Sequence, residues 1–152
     1  MIIAVASTKG GTGKTTAALQ VALYLLVQKK AKVCLVDADV QGSSNLAIQS
    51  REKNLVSPKL RTEVITDGGE ILTRVPKLNE KYEYVVIDVG GRETDALRAS
   101  MAICDTLSFR AVRLGSTCSL SRLISAMSFR RLVKRLARSS RPSSSSPRRI
   151  PA

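Results

Sequence analysis

The chain has 152 residues and a mass of 16.4 kDa, room for one domain of ordinary size, and 43% of its residues are apolar, enough for one core. No run of 18 apolar residues is present, which excludes a membrane-spanning helix; there is no histidine, which excludes histidine-based catalysis, and Cys34, Cys104 and Cys118 lack CxxC spacing, which argues against a Cys/His zinc site or structural disulfides. The net charge of +13 is unevenly spread: residues 1–108 hold 14 basic and 12 acidic side chains, and residues 109–152 hold 11 basic and none acidic, so two compositions are joined in one chain. Met1 to Val5 carries neither a basic region nor a small-residue cleavage site, so no secretory leader is expected and a cytoplasmic location is.

Taken in chain order, Ile2 to Ser7 is a near-continuous apolar run, the pattern of a parallel strand covered on both faces. It stops at a glycine cluster. Thr15 to Lys29 places Ala18, Leu19, Ala22, Leu25 and Leu26 at helical spacing, with Lys29 and Lys30 set to complement the dipole at its C-terminal end. Lys32 to Asp37 predicts a second buried strand. Gly42 to Pro58 is polar and weakly patterned and receives no element. Arg61 to Thr66 fits a strand, Gly69 to Leu78 a short helix, Tyr82 to Asp88 a strong strand closed by Gly90-Gly91, and Thr94 to Cys104 a helix through Ala96, Leu97, Met101 and Ala102. Strands alternating with helices predict an open α/β sheet whose ligand lies along the carboxyl edge.

Lys9-Gly10-Gly11-Thr12-Gly13-Lys14-Thr15-Thr16 stands between the first strand and the first helix. Glycines there let backbone N–H groups turn around phosphate oxygens, the helix N-terminus adds its dipole, Lys14 can reach the terminal phosphates, and the Thr15 hydroxyl can ligate Mg²⁺. A glycine-rich turn that merely contains lysine is the plainer alternative. Asp37 and Asp88 each end a strand beside this loop, where a carboxylate can meet a metal and its waters; solvated turn acids are the alternative for Asp37 and Asp39. Glu93 and Asp95 read as helix-start acids.

The octet KGGTGKTT, with Lys9 added and Thr8 where the strict P-loop pattern has glycine, resembles the deviant Walker A motif of the ParA/MinD family of partition ATPases. Asp37 to Ser43 is similar to the family's DxDPQG segment with Val40 in the proline position, and Val85 to Asp88 is similar to its Walker B strand. The resemblance covers residues 1–107. It implies an open, mostly parallel sheet of P-loop NTPase type, binding ATP with Mg²⁺. It further implies that Lys9 to Thr16 hold the nucleotide, that Thr15, Asp37 and Asp88 serve the metal, the aspartates through water, and that Lys9, Lys14 and Asp39 carry catalysis. Asp39 would orient the attacking water, Lys9 would reach the partner's phosphates in a nucleotide-sandwich homodimer, and Gly90 and Gly91 would suit a loop that senses the γ-phosphate. The implied partners are a centromere-binding protein and nonspecific DNA, with nucleoid association and no membrane contact.

Past Leu107 the family pattern should continue with another apolar strand, which here would bring Arg110 into the sheet. The chain instead turns rich in Ser and Arg. Three parts follow: residues 1–107 as the ParA-like portion, 108–138 as a basic segment with Leu120, Leu123, Ile124, Met127, Leu132, Val133 and Leu136 roughly at helical spacing, and 139–152 as a disordered low-complexity tail. One reading is a shifted reading frame after Leu107, since the alternative frame can encode Pro-x-x-Pro-x-Arg-Phe-Asp-Leu; the sheet is then incomplete at its C-terminal side, Leu97, Met101 and Ile103 lack partners, and ATPase activity is impaired. The other takes the tail as a nucleic-acid-binding module beside a vestigial ATPase half. A MinD-like ATPase is a third reading.

Overall fold

The computed structural model describes residues 1–7, 13–90 and 94–109. Its elements are β1 (Ile2–Ala6), α1 (Lys14–Val27), β2 (Val33–Ala38), α2 (Ser43–Lys53), β3 (Arg61–Val64), α3 (Gly68–Lys81), β4 (Tyr84–Val89), α4 (Asp95–Ile103) and β5 (Thr106–Phe109). The five strands form one parallel sheet in the order β3-β2-β4-β1-β5, the open α/β architecture the alternation predicts.

Both faces of this sheet are covered, which is why its central strands read as unbroken apolar runs. Successive side chains alternate between two cores. Ile3, Val5, Leu35 and Val86 pack with Ala18, Val21, Ala22 and Leu25 of α1 and Ile48 of α2. Ile2, Ala6, Val36, Val85 and Ile87 pack with Ile71 and Val75 of α3 and Ala96 and Leu97 of α4. The chain leaves β1 toward β2 on one side and leaves β4 toward β5 on the other. The strand order therefore reverses direction between the neighbours β1 and β4, the position where open α/β sheets leave a crevice at their carboxyl ends.

Several expectations need correction. The first helix ends at Val27, not Lys29: the Gln28 N–H closes on the Tyr24 carbonyl, and Lys30 takes a left-handed φ of 52°. Both lysines lie past the helix end.

The polar stretch after Gly42 contains a whole helix, α2, which periodicity could not reveal because only Ser44 and Ile48 are buried along it. The third helix runs on through Pro76 to Lys81. Thr94 and Cys104 are caps rather than helix, and the Thr94 hydroxyl accepts the Leu97 N–H.

The strand pattern also does not break at Leu107, since Thr106 to Phe109 pair in parallel with β1, and Asp105 pins the start by accepting the Ile2 N–H at 2.7 Å. Leu97 is buried in the α3/α4 core and Ile103 packs against it, so of the three side chains expected to lack partners only Met101 stays exposed. Arg110, the basic segment and the low-complexity tail lie outside the described residues.

Candidate phosphate and metal site

Two glycines shape the carboxyl edge. Gly13 and Gly42 take left-handed φ angles of 77° and 63° as the N-caps of α1 and α2, and neither cap residue has a side chain to bond the first turn. A helix start without a side-chain cap leaves N–H groups and the positive dipole end available to an anion. Both helices lie on the same face of the sheet, so their N-termini look over the ends of β2 and β4.

Asp37 and Asp88 sit there side by side. They are register partners on β2 and β4, and each shares the strand parity of a residue facing α1 and α2, namely Leu35 and Val86. Asp37 is fully buried and satisfied: it accepts the Asp39 N–H at 3.2 Å and the Asn45 N–H at 2.8 Å. The second bond takes an orphan donor from the first turn of α2, so a side chain of the sheet caps that helix.

Asp88 is 1% exposed, and neither of its oxygens has a partner at hydrogen-bond geometry among the described residues. Burial pushes its carboxyl up to about 6; the nearby Thr15 hydroxyl opposes the rise, Asp37 adds to it, Ser44 opposes it, and Asp39 adds to it. A buried carboxylate with two free acceptor atoms beside further acids is a place that a cation would stabilise.

Asp39 is half-buried in the turn after β2, where its carboxylate accepts the Gln41 N–H at 3.0 Å and its carbonyl accepts the Gly42 N–H at 2.9 Å. Gly90, just past β4, lies against it: a Cβ there would stand 3.3 Å from the Asp39 carboxyl carbon. Lys14 is buried at the first position of α1, Thr15 is half-buried beside Asp88, and Thr16 is exposed. The fold thus gathers Gly13, Lys14, Thr15, Asp37, Asp39 and Asp88 along one edge. Lys9, Gly10, Gly11, Thr12 and Gly91 lie outside the described residues.

Ser44 is the residue of this edge that sequence reasoning missed. Its hydroxyl is buried without a hydrogen-bond partner among the described residues. A serine two places after the Gly42 cap was the available signal, hidden because α2 itself was not legible.

Among the described residues no group of three or more Asp, Glu, Cys or His side chains could hold a metal ion by itself. A cation beside Asp88 would therefore take oxygen donors of other kinds, such as the Thr15 hydroxyl, water and phosphate, the mixed set that Mg²⁺ favours in nucleotide sites. The residues present fit a Mg-nucleotide.

The sequence matches the CobQ/CobB/MinD/ParA nucleotide-binding domain over residues 3–144. The chain belongs to this family. A relative is the chromosome-partitioning ATPase Soj of Thermus thermophilus, 38% identical over an 82-residue alignment that covers 50% of this chain and 32% of Soj. The chain therefore matches about a third of that relative's length. A plasmid partition protein from Borrelia burgdorferi has a similar fold, with a TM-score of 0.59 at 21% identity over 90% of this chain and 74% of its own. The septum site-determining protein MinD of Pyrococcus horikoshii, complexed with Mg-ADP, aligns with a TM-score of 0.51 at 19% identity over 71% of this chain and 56% of its own. Among the described residues of this ParA/MinD-family chain, no helix is long and apolar enough to cross a membrane.

Proposed function

We propose that this chain binds Mg-ATP at the carboxyl edge between β1 and β4 and hydrolyses it as a ParA-like partition ATPase of plasmid or chromosomal cargo. The observation that carries the reading is Asp88: a buried carboxylate whose oxygens have no hydrogen-bond partner among the described residues, set beside Thr15 at the start of a helix whose cap is a left-handed glycine. Gly13 and the first turn of α1 hold phosphate, together with Lys9 to Thr12 and Thr16. Lys14 compensates the phosphate charge from its buried position. Bound Mg²⁺ would neutralise charge on the phosphates; Thr15 would hold it directly, and Asp37 and Asp88 would hold it through water. Asp39, kept in place by the Gln41 N–H, orients the attacking water.

The wider proposal follows the family: ATP drives homodimerisation, with Lys9 reaching the partner's phosphates, and the dimer engages nonspecific DNA and a centromere-binding protein on the nucleoid within the cytoplasm. Soj is a chromosome-partitioning ATPase and the Borrelia neighbour a plasmid partition protein, which supports partition over septum placement. Turnover is expected to be weak, because residues 109–152 hold 11 basic and no acidic side chains, so completing the domain with that stretch would cost the burial of arginine without a carboxylate partner from within it.

Titration calorimetry tests the assignments. Lys14→Ala should abolish Mg-ATP binding, Lys9→Ala should spare monomer binding but remove nucleotide-dependent dimerisation, and Asp39→Ala should retain binding and lose turnover. Equal loss of monomer affinity in the Lys9 and Lys14 variants contradicts these roles. The basic tail favours one rival, a nucleic-acid module independent of ATP; a steep salt dependence of DNA binding that ignores nucleotide would support it.

A further inference from the structure

Leu55 stands where leucine brings strain and no burial. Just past α2 it donates its N–H to the Glu52 carbonyl at 3.0 Å, while the Val56 N–H reaches the Arg51 carbonyl at 3.2 Å, the paired closing bonds of a helix end that normally places glycine in the left-handed position. Leu55 takes that position with a φ of 55°, which crowds its Cβ, and it is 89% exposed. The loop is nevertheless held in shape, because the Arg51 guanidinium donates to the Ser57 and Pro58 carbonyls at 3.1 and 3.3 Å. Val56 beside it and Val27 at the end of α1 are each 42% exposed.

The surroundings are basic. No acidic residue occurs from Gly13 to Val36, and from Gly42 to Thr62 the one acid is Glu52, whereas the helices of the opposite face carry Glu70, Glu80 and Asp95. The loops after α1 and α2 lie side by side at the amino edge of the sheet, since Ala31 and Leu60 enter the same core. Around these two residues Lys30, Lys32, Lys53 and Lys59 are exposed, and none of the four forms a side-chain ion pair among the described residues.

We propose that this amino edge is a peripheral docking surface for an anionic lipid bilayer, with Leu55 and Val56 entering the interface and the lysines of the two loops meeting the headgroups. Exposed apolar side chains set among unpaired lysines are the combination that binding to an anionic interface requires. A nucleic acid would use the lysines and leave Leu55 in water. A second copy of the chain, set edge to edge, would bring like charges together. The surface lies at the far end of the strands from Asp37 and Asp88, about 20 Å along the six residues of β2, so docking there leaves the nucleotide edge open and does not rest on the nucleotide reading. It departs from the absence of membrane contact that the family resemblance implies. The competing account is that these lysines only complement the C-terminal dipoles of α1 and α2, which gives the strained, exposed Leu55 no role.

The chain contains no tryptophan, so Leu55→Trp reports the surroundings of this one position. The full chain and its variants are mixed with vesicles of phosphatidylcholine alone, with vesicles of equal parts phosphatidylcholine and phosphatidylserine, and with duplex DNA; partition onto vesicles is measured by sedimentation. The proposal expects the emission of Leu55→Trp to shift to the blue with the anionic vesicles only. Leu55→Gly should weaken partition onto them about tenfold, the loss of one buried leucine, and Lys53→Gln and Lys59→Gln about fivefold each. Leu55→Gly should melt no lower than wild type, because glycine suits the left-handed position. Sedimentation without a blue shift, or partition that the three loop variants leave unaltered, assigns vesicle binding to the basic stretch from 109 to 152 and overturns the proposal. So does a blue shift on duplex DNA, which would make the edge a nucleic-acid surface, and so does a failure to sediment with either vesicle.

Discussion

Asp37 and Asp88 are partners in register across β2 and β4, yet the described residues satisfy only one of them. Asp37 accepts two backbone N–H groups, which fix its carboxylate to the scaffold whatever else it meets. Asp88 accepts none at hydrogen-bond geometry among the described residues and leaves both of its oxygens open to a group outside them. Equal residue type, equal strand position and near-equal burial thus lead to opposite energetic roles.

Asp88→Asn should stabilise the nucleotide-free chain at neutral pH. Burial raises the Asp88 carboxyl from 3.8 to about 6, so its protonated form contributes stability that is fully present below about pH 3.8 and is lost as pH rises through about 6. At about 1.4 kcal/mol per pKa unit the deficit at pH 7 is at most about 3 kcal/mol. Denaturant melts of both proteins at pH 4 and pH 7 should show the variant gaining relative to wild type only at the higher pH. A gain of the same size at both values would mean that charge burial is not its source.

Asp37→Ala should act in the opposite sense. It removes the acceptor for the Asn45 N–H in the first turn of α2 and for the Asp39 N–H, and a lost cap with orphaned donors costs about 2 kcal/mol. Urea unfolding should show that loss, and amide exchange should show α2 opening more readily than α1. Wild-type stability in this variant would remove Asp37 from the scaffold.

Gly68→Ala tests the packing of the other face. A Cβ on Gly68 would stand 2.8 Å from the Asp95 carbonyl oxygen, a backbone atom that cannot swing aside, so the starts of α3 and α4 must separate. Overpacking of this kind costs about 1–3 kcal/mol. Gly90→Ala meets only the movable Asp39 carboxylate, so it should leave stability within about 0.5 kcal/mol and lower ATP turnover more than ATP affinity. Thermal melts and steady-state kinetics of the pair should divide along that line.

Cys34 should resist alkylation while the chain is folded. It is fully buried on β2, and burial pushes its thiol up to about 12, so the reactive thiolate is scarce at any pH near neutral. Since the folded pKa lies above the ordinary value of 9.0, this thiol contributes stability that is present below pH 9 and lost as pH rises through about 12. Iodoacetamide labelling followed by peptide mapping should modify Cys34 only under denaturing conditions; native labelling at the rate of a free thiol would contradict its burial.

The sequence by itself determined the central strands, the α1 and α4 patterns and the glycine-lysine loop, because burial on both sheet faces writes continuous apolar runs and a helix with a buried stripe writes its period. Those signals are local. The shorter β3 and most of α3 were legible as well, whereas tertiary structure alone decided α2, β5 and the contrast between two aspartates. α2 was illegible because it buries little more than Ser44 and Ile48 and owes its start to a carboxylate on β2 rather than to a capping side chain of its own. β5 was hidden by the composition change that begins within it, and its pairing with β1 is a long-range hydrogen-bond ladder that side-chain pattern does not encode. The difference between Asp37 and Asp88 was equally invisible, since it depends on which helix start delivers N–H groups to which strand end, and that is settled only when the sheet is assembled.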